Sequence, residues 1–469
     1  MNIVAIDEIE AISETIITPQ QVFEETIPVA VIQKSAPAEE IITCDDDWGV
    51  SKFVYSNSID GILAENKVRV LPAGYNTAEL ILDISAESEE QDPFYIVDLT
   101  TVLTKLDDWK TLMPRVKPFY AMKCNNDGII CKMLCDAGCG FDCASKAEIE
   151  AALQFGVLPD HIIYANPCKQ ESMLRYARSV GVKKMTADNV EELHKIANCF
   201  PEAKVVLRIA VDDSKSVCRF NSKFGAAQHE WDVLLRTAKA LDLDVAGFSF
   251  HVGSGCGDLK PFADAVAAAR DAFDQAEAYG FSPSILDCGG GFPGTNDGAF
   301  SFHEVASTIS NAIDHFFPPS CGVQIIAEPG RYMVAASHTY SVSVIAKRQL
   351  TAAQLADKEV RDSNTPEVAL YINDGCYGSF NCIVFDHAII TPKVLGTKSA
   401  LPFDTPSKLF GPTCDSIDVV MPCTLLPQLD IGDWIWFPNM GAYTRCAASR
   451  FNGQGAFNIH YVWAGVPSK

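Results

Sequence analysis

Several side chains in this sequence have the types and spacing to do chemistry together. Lys123 closes the apolar run KPFYAMK, Asp142 lies in GFDCAS, and Arg208 stands in KVVLRIA. His251 follows VAGFSF with Ser254 three positions on, and Glu328 and Arg331 stand in AEPGR. Gly289, Gly290 and Gly291 form a bare stretch after SILDC. A lysine amine held at a fixed point is a nucleophile toward a carbonyl. Bare backbone N–H groups beside a guanidinium make a seat for phosphate oxygens. A carboxyl group nearby can set the charge on a heteroaromatic ring nitrogen. The three functions together describe a phosphate-bearing carbonyl cofactor, and pyridoxal 5'-phosphate fits them. On this reading Glu328 keeps the ring nitrogen protonated and His251 lies against the ring face. GGGFPG also satisfies the GxGxxG dinucleotide pattern, but weakly, because Pro293 and the following TNDGAF do not open a helix.

Such groups work only if something rigid gathers them. The runs KPFYAMK, GFDCAS, IIYANP, KKMTAD, KVVLRIA, VAGFSFHVG, SILDCGGGF and QIIAEPGRY read as strands. Between them lie amphipathic stretches such as KAEIEAALQFG and EELHKIANCF, with apolar residues near i, i+3, i+4 and i+7. Eight strand–helix units predict a closed parallel (β/α)8 barrel, whose chemistry belongs at the C-terminal strand ends. Lys123, Asp142, Asn166, Arg208, His251, the glycines and Glu328 all fall at those ends. The loops after strands seven and eight, where such barrels build phosphate sites, carry the glycines and Arg331.

After about residue 336 the rhythm changes. TYSVSVIAKRQL, VALYINDG, AIITPKVLG, DIGDWIWFPN and NIHYVWAG predict an all-β region. The organisation read from this is an acidic, flexible extension over residues 1–60, a segment over 61–98 contributing to the β domain, a barrel over 99–337, and a C-terminal β domain over 338–469. The first fifty residues carry eleven acidic side chains and one lysine, a composition that argues against a packed core.

A net charge of −23 argues against nucleic acid or an anionic membrane as partner. No apolar run approaches the roughly 20 residues of a membrane helix, and the N-terminus has no secretory pattern, so the cytoplasm is the expected compartment. The odd total of 17 cysteines does not read as a disulfide framework. Cys124, Cys131, Cys135, Cys139 and Cys143 lie close in sequence, but their spacing lacks the paired knuckles of a metal site. They are expected to be buried thiols, and no metal is expected.

The stretches PFYAMKCN, GFDCASKAEI, IIYANPCKQ, LRIAVDDSKSVCRF with KFGA, SFHVGSGC, LDCGGGFPG, IIAEPGRY, NDGCYGSFNC, GPTCDSID, and NMGAYT with FNG carry a resemblance. From about Pro93 to Trp463 the chain resembles the fold-type III pyridoxal-phosphate decarboxylases, the alanine-racemase-like group that contains the eukaryotic ornithine decarboxylases. The resemblance implies decarboxylation of L-ornithine to putrescine and CO2, the entry step of polyamine biosynthesis. It implies Lys123 as the lysine that condenses with the cofactor, with Asp142, Glu148 and Arg208 around it. It implies His251 against the ring and Glu328 at the ring nitrogen. Ser254, Gly290, Gly291, Gly330, Arg331 and Tyr443 are implied as further cofactor contacts. Cys414 is implied as the group that manages the α-carbon proton. Asp374 and Asp415 are implied as acceptors of the distal substrate amine, with Tyr377 and Phe451 as further substrate contacts. Cys414 and Asp415 are implied to reach the neighbouring subunit's site, making a homodimer with shared sites. Antizyme is implied as a partner near KQESMLRYARSVGVKKM.

Two alternatives stay open on sequence. One is a decarboxylase of lysine, arginine or diaminopimelate; CDS in GPTCDSID differs from the CES of diaminopimelate enzymes, and lysine differs from ornithine by one methylene, worth only about 1–3 kcal/mol of discrimination. The other is an inactive binding protein resembling antizyme inhibitor, which the retained lysine, cysteine and carboxylates argue against.

Overall fold

The computed structural model describes residues 52–87, 91–296, 298–351 and 365–465. The extension expected over residues 1–60 therefore lies mostly outside the described residues, while Lys52–Glu65 is a helix.

Eight parallel strands close into a barrel: β1 Val116–Ala121, β2 Gly140–Cys143, β3 Ile162–Tyr164, β4 Lys184–Ala187, β5 Lys204–Arg208, β6 Asp244–Ser249, β7 Ile285–Asp287 and β8 Gln324–Ala327. Closure is direct, since Ile325 of β8 registers with Val116 of β1. Each expected barrel strand is present, shorter than its apolar run because the run continues into the catalytic-end loop. Phe119, Ile163, Val206, Ala246, Ile285 and Ile326 fill the barrel interior. A Cβ on Gly140 would stand 2.7 Å from the Phe119 ring, so β2 needs a glycine there for that ring to fit.

Several of the helices after the strands begin on polar caps. Asp127 accepts the N–H groups of Ile129 and Ile130 at the start of Gly128–Asp136. Ser145 and Asn189 cap Lys146–Gln154 and Val190–Cys199 in the same way. Each such cap is worth about 1 kcal/mol. More important here, each ends its loop at a defined residue and so fixes where the preceding strand end points.

Beside the barrel lies a mixed sheet. Its main path runs Arg69–Leu71, Asn458–Ala464, Phe94–Asp98, His338–Gln349 (β9), Val368–Ile372, Thr405–Phe410, Val419–Leu426. The segment before the barrel thus supplies two of its strands. AIITPKVLG gives only the two-residue strand Lys393–Val394, paired with Trp434–Phe437; Ile389 is 98% exposed and nothing packs it into a pleat. Thr405–Phe410 and Val419–Leu426 were not expected. Each contains a proline, Pro406 and Pro422, and their pairing carries register shifts, both of which blur the two-residue alternation.

The barrel and sheet are bonded where β1 ends. Asn125 donates through Nδ2 to the Gly441 carbonyl at 2.9 Å and meets His338 Nε2 at 3.1 Å. Asp127 accepts from Arg445 at 2.8 Å and from the Tyr461 hydroxyl at 2.7 Å. The Tyr443 N–H donates to the Cys124 carbonyl at 2.9 Å. The loop that presents Lys123 is therefore gripped from the sheet side.

Candidate active site

Lys123 stands two residues past β1. Its ammonium is bonded to Asp142, whose side chain is fully buried at the end of β2. Burial alone would lower the lysine's proton affinity, but the Asp142 and Glu328 carboxylates outweigh it and hold the ammonium above the usual lysine range. Asp142 Oδ1 and Arg208 Nη2 are buried with no partner among the described residues. Unsatisfied buried polar atoms are costly, so their convergence beside an amine marks a place made to receive a polar group.

His251 follows β6. Phe220 meets its ring edge-on at 4.8 Å, and the Gly253 N–H donates to its Nδ1 at 3.0 Å. Burial, then the nearby Arg208 and Lys123 charges, keep its proton affinity well below the usual histidine range, so the ring is neutral. Gly290 lies against it: a Cβ there would come within 2.9 Å of Nε2 and 3.0 Å of the Glu328 carbonyl. Gly291 has φ of +100°, and a Cβ would meet the Gly253 carbonyl at 2.5 Å. These glycines let two strand-end loops lie backbone to backbone.

Arg331 receives no help from its own helix; it is aimed by partners. It donates to Ser254 Oγ at 3.0 Å and to both oxygens of Asp386, at 2.8 and 2.6 Å. Its guanidinium lies 5.0 Å from the centre of the Tyr443 ring. Tyr443 has φ of +55°, a conformation costly for an aromatic residue and tolerated where surroundings enforce it. Glu328 donates its N–H to the Gly289 carbonyl at 2.6 Å. Burial, then the Asp142 and Asp287 charges, push its carboxyl well above the usual range.

Lys123, His251, Ser254, Gly290, Gly291, Glu328, Gly330, Arg331 and Tyr443 line one cavity, together with Phe220. That arrangement fits pyridoxal phosphate: an amine at one end, a cation and uncovered backbone at the other, a neutral ring for its face and a carboxyl below. Glu148 stays a cap, accepting the Ala144 N–H at 2.5 Å. Asn166 shapes a turn through Cys168 N at 3.1 Å.

The expected substrate end is arranged differently. Asp374 is 1% exposed and already accepts from Tyr340 at 2.6 Å and from the Ser379 and Gly375 N–H groups at 2.8 Å each. It does not line the cavity, so its expected contact with a substrate amine is corrected: its oxygens are spent inside the sheet. The carboxylate bonded to a cavity-lining side chain, Arg331, is Asp386, which sequence reasoning missed. Asp415, Tyr377 and Phe451 group together elsewhere. The Tyr377 hydroxyl donates to Asp415 at 2.5 Å, and the Tyr377 and Phe451 rings lie 4.5 Å apart. Cys414 is exposed beside them, its N–H on Asn452 at 3.0 Å. None of these four lines the cavity of its own protomer. Cys124, Cys131, Cys139 and Cys143 are buried thiols, Cys135 half-buried.

A family model described as pyridoxal-dependent decarboxylase, pyridoxal binding domain, matches residues 99–335. The chain is 49% identical to ornithine decarboxylase of Rattus norvegicus over 84% of its length and 86% of that protein. The chain belongs to the ornithine decarboxylase family of pyridoxal-dependent decarboxylases. Among its relatives in that family is antizyme inhibitor 2 of Xenopus laevis, 46% identical over 86% of this chain and 89% of that protein. The crystal structure of the Paramecium bursaria Chlorella virus arginine decarboxylase bound to agmatine shares the architecture, with a TM-score of 0.75 and 37% identity, covering 82% of this chain and all of that one. This family member is a pyridoxal-phosphate enzyme, and the cavity at Lys123 is where the residues fit that cofactor.

Proposed function

We propose that this protein decarboxylates L-ornithine to putrescine and CO2, on one carrying observation: Lys123, Asp142, His251, Glu328 and Arg331 meet at one end of the barrel in the roles the cofactor needs. When bound, pyridoxal phosphate supplies an electron sink for the bond broken at the substrate's α-carbon. Lys123 is the cofactor's covalent attachment and Asp142 orients it. Arg331, Ser254, Tyr443 and the N–H groups around Gly290, Gly291 and Gly330 hold the phosphate. His251 packs neutral against the ring, and Glu328 holds the proton at the ring nitrogen. Arg208 fills the polar space around Lys123.

We assign the distal ammonium of the substrate to Asp386 from one protomer and Asp415 from its partner, with Tyr377 and Phe451 flanking Asp415. Cys414, also from the partner, delivers the proton to the α-carbon. The working unit is then a homodimer with two shared sites. Its domain limits are those at residues 98/99 and 337/338. Two carboxylates suit a diamino acid, and the distance between them, set by the dimer, selects ornithine over its longer homologues. A panel measuring CO2 release from ornithine, lysine and arginine tests this; faster release from lysine or arginine would overturn the assignment. Borohydride reduction with mapping of the modified residue tests the attachment, and a label anywhere but Lys123 would sink the mechanism.

The antizyme-inhibitor reading predicts no bound cofactor and no CO2 release; the complete set of cofactor residues favours the enzyme. Antizyme as a partner is proposed for the surface helix Glu171–Ser179, where Arg175 and Arg178 are exposed; charge reversal there leaving antizyme capture intact would remove it. No helix among the described residues is long and apolar enough to cross a membrane. The described cysteines form no disulfide, which supports a reducing, cytoplasmic setting. Cell fractionation tests the location.

A further inference from the structure

Directly beneath the cavity, the end of β7 places a carboxyl group that the mechanism above does not use. Asp287 is fully buried. One of its oxygens, Oδ1, accepts the Gly289 N–H at 2.9 Å. The other, Oδ2, has no donor among the described residues, and the carboxyl is the side-chain neighbour that pairs with Glu328. Gly289 joins the two from the other side, since its carbonyl accepts the Glu328 N–H at 2.6 Å. Two ionised carboxylates are both acceptors and cannot bond. The contact makes sense only with a proton between them.

The surrounding charges agree. Lys123 and Arg208 supply two positive charges; Asp142, Asp287 and Glu328 supply three carboxyls. Asp142 is taken by Lys123. Asp188, which also faces Arg208, has its own donors in Gly225 N–H and Asn189 Nδ2, each at 2.8 Å. His251 is neutral, and the neighbouring Cys288 thiol is held protonated by burial and by the Asp287 charge. One carboxyl keeping its proton reduces the buried negative charge, whereas full ionisation would bury a larger uncompensated charge. Strand register puts Arg208 beside Ser249 and Ser249 beside Asp287. Four of the nine buried, unpartnered side-chain atoms among the described residues, on Asp142, Arg208, Ser249 and Asp287, belong to this layer, so the polar mismatch is concentrated here.

We propose that Asp287 is a positioning residue: it shares a single proton with Glu328, fixing that carboxyl beneath the ring nitrogen and holding the proton it presents there. The proton sharing stands on this geometry alone; only its use at the ring nitrogen rests on the decarboxylase reading. The pair prepares the site before the cofactor arrives, as outer partners orient the groups that do the binding.

The sharing is read in the cofactor-free protein by infrared difference spectroscopy. Burial raises the Asp287 carboxyl to about 7, so a protonated-carboxyl band should persist at a pH where ordinary carboxylates are ionised. Burial keeps the remaining carboxyl protonated in either variant, but its band should move in frequency in both Asp287→Asn and Glu328→Gln, because each loses the partner that shares the proton. The folded Asp287→Asn protein, checked by circular dichroism, should bind pyridoxal phosphate on the order of tenfold more weakly and show a shifted pH dependence of the bound cofactor's absorbance. Absence of the band in the wild-type protein, a band whose frequency is unmoved in either variant, or unchanged cofactor affinity in folded Asp287→Asn would each overturn the proposal. Absence of any such band in the wild-type protein overturns the proposal even if both variants fail to fold. Failure of ornithine turnover with the band intact would reject the substrate assignment and leave the shared proton standing.

Discussion

At the residue scale, the Asp142 and Glu328 carboxylates hold the charge on Lys123, and burial with the Asp142 and Asp287 charges raises the Glu328 carboxyl. Lys123→Ala should therefore bind pyridoxal phosphate without a reducible attachment and lose turnover by at least about 100-fold. Mass mapping after borohydride and a CO2 assay check both parts. Cys414→Ala should keep the cofactor spectrum but misplace the α-carbon proton, giving slower turnover or an aberrant product by chromatography; unchanged rate and product would take Cys414 out of the reaction. The buried acid pair also has a stability signature. Between the ordinary carboxylate range and about 7, native Asp287 retains a proton that the unfolded chain has released. Its stabilising contribution is complete at low pH and fades as pH rises through that value. The melting temperature of cofactor-free wild type minus that of Asp287→Asn should be larger at about pH 5 than at about pH 8. Most of these residues were readable because they end apolar runs. Asp386 was not, since the stretch around it, NCIVFDHA, has neither strand nor helix period to place it. Asp374 was assigned through the resemblance, and nothing local in NDG shows that its carboxylate is folded inward.

At the element scale, the strand-end loops work because they touch through glycine. Gly290→Ala should push His251 or the Glu328 backbone aside and weaken cofactor binding by about tenfold or more, while Gly74→Ala, which has open space around it, should leave it unaltered. Fluorescence titration of the two apoproteins compares them. The barrel was legible in sequence because strands buried on both faces appear as unbroken apolar runs. The sheet was only partly so. It is assembled from distant pieces, with Asn458–Ala464 inserted between Arg69–Leu71 and Phe94–Asp98, and no local pattern encodes that neighbourhood. Its proline-bearing strands hide their alternation as well.

At the scale of the whole molecule, Cys414, Asp415, Tyr377 and Phe451 lie outside the cavity lining, and near them Ile417 is 71% exposed. Phe385, beside Asp386, is also 71% exposed. Covering such side chains and completing the site are the same event if two copies exchange these groups. Mixing Lys123→Ala with Cys414→Ala should then restore normal product formation at roughly a quarter of the wild-type rate, since half the dimers are mixed and each has one intact site. No recovery after subunit exchange would exclude sharing. The bond between Asp127 and Arg445 belongs to this scale too: Arg445→Leu leaves a buried carboxylate short of its cation and should cost about 3 kcal/mol or more in denaturant melts.

That grip has a consequence for anyone dividing the gene. The stretch recognised as a family unit ends at residue 335, yet Asn125 and Asp127, which shape the loop carrying Lys123, are satisfied by His338, Gly441, Arg445 and Tyr461. A fragment cut at the family boundary would keep every barrel strand and lose the clasp on its own nucleophile. Chimaeras between relatives should therefore exchange the 123–127 loop and residues 338–465 together, as one inherited part.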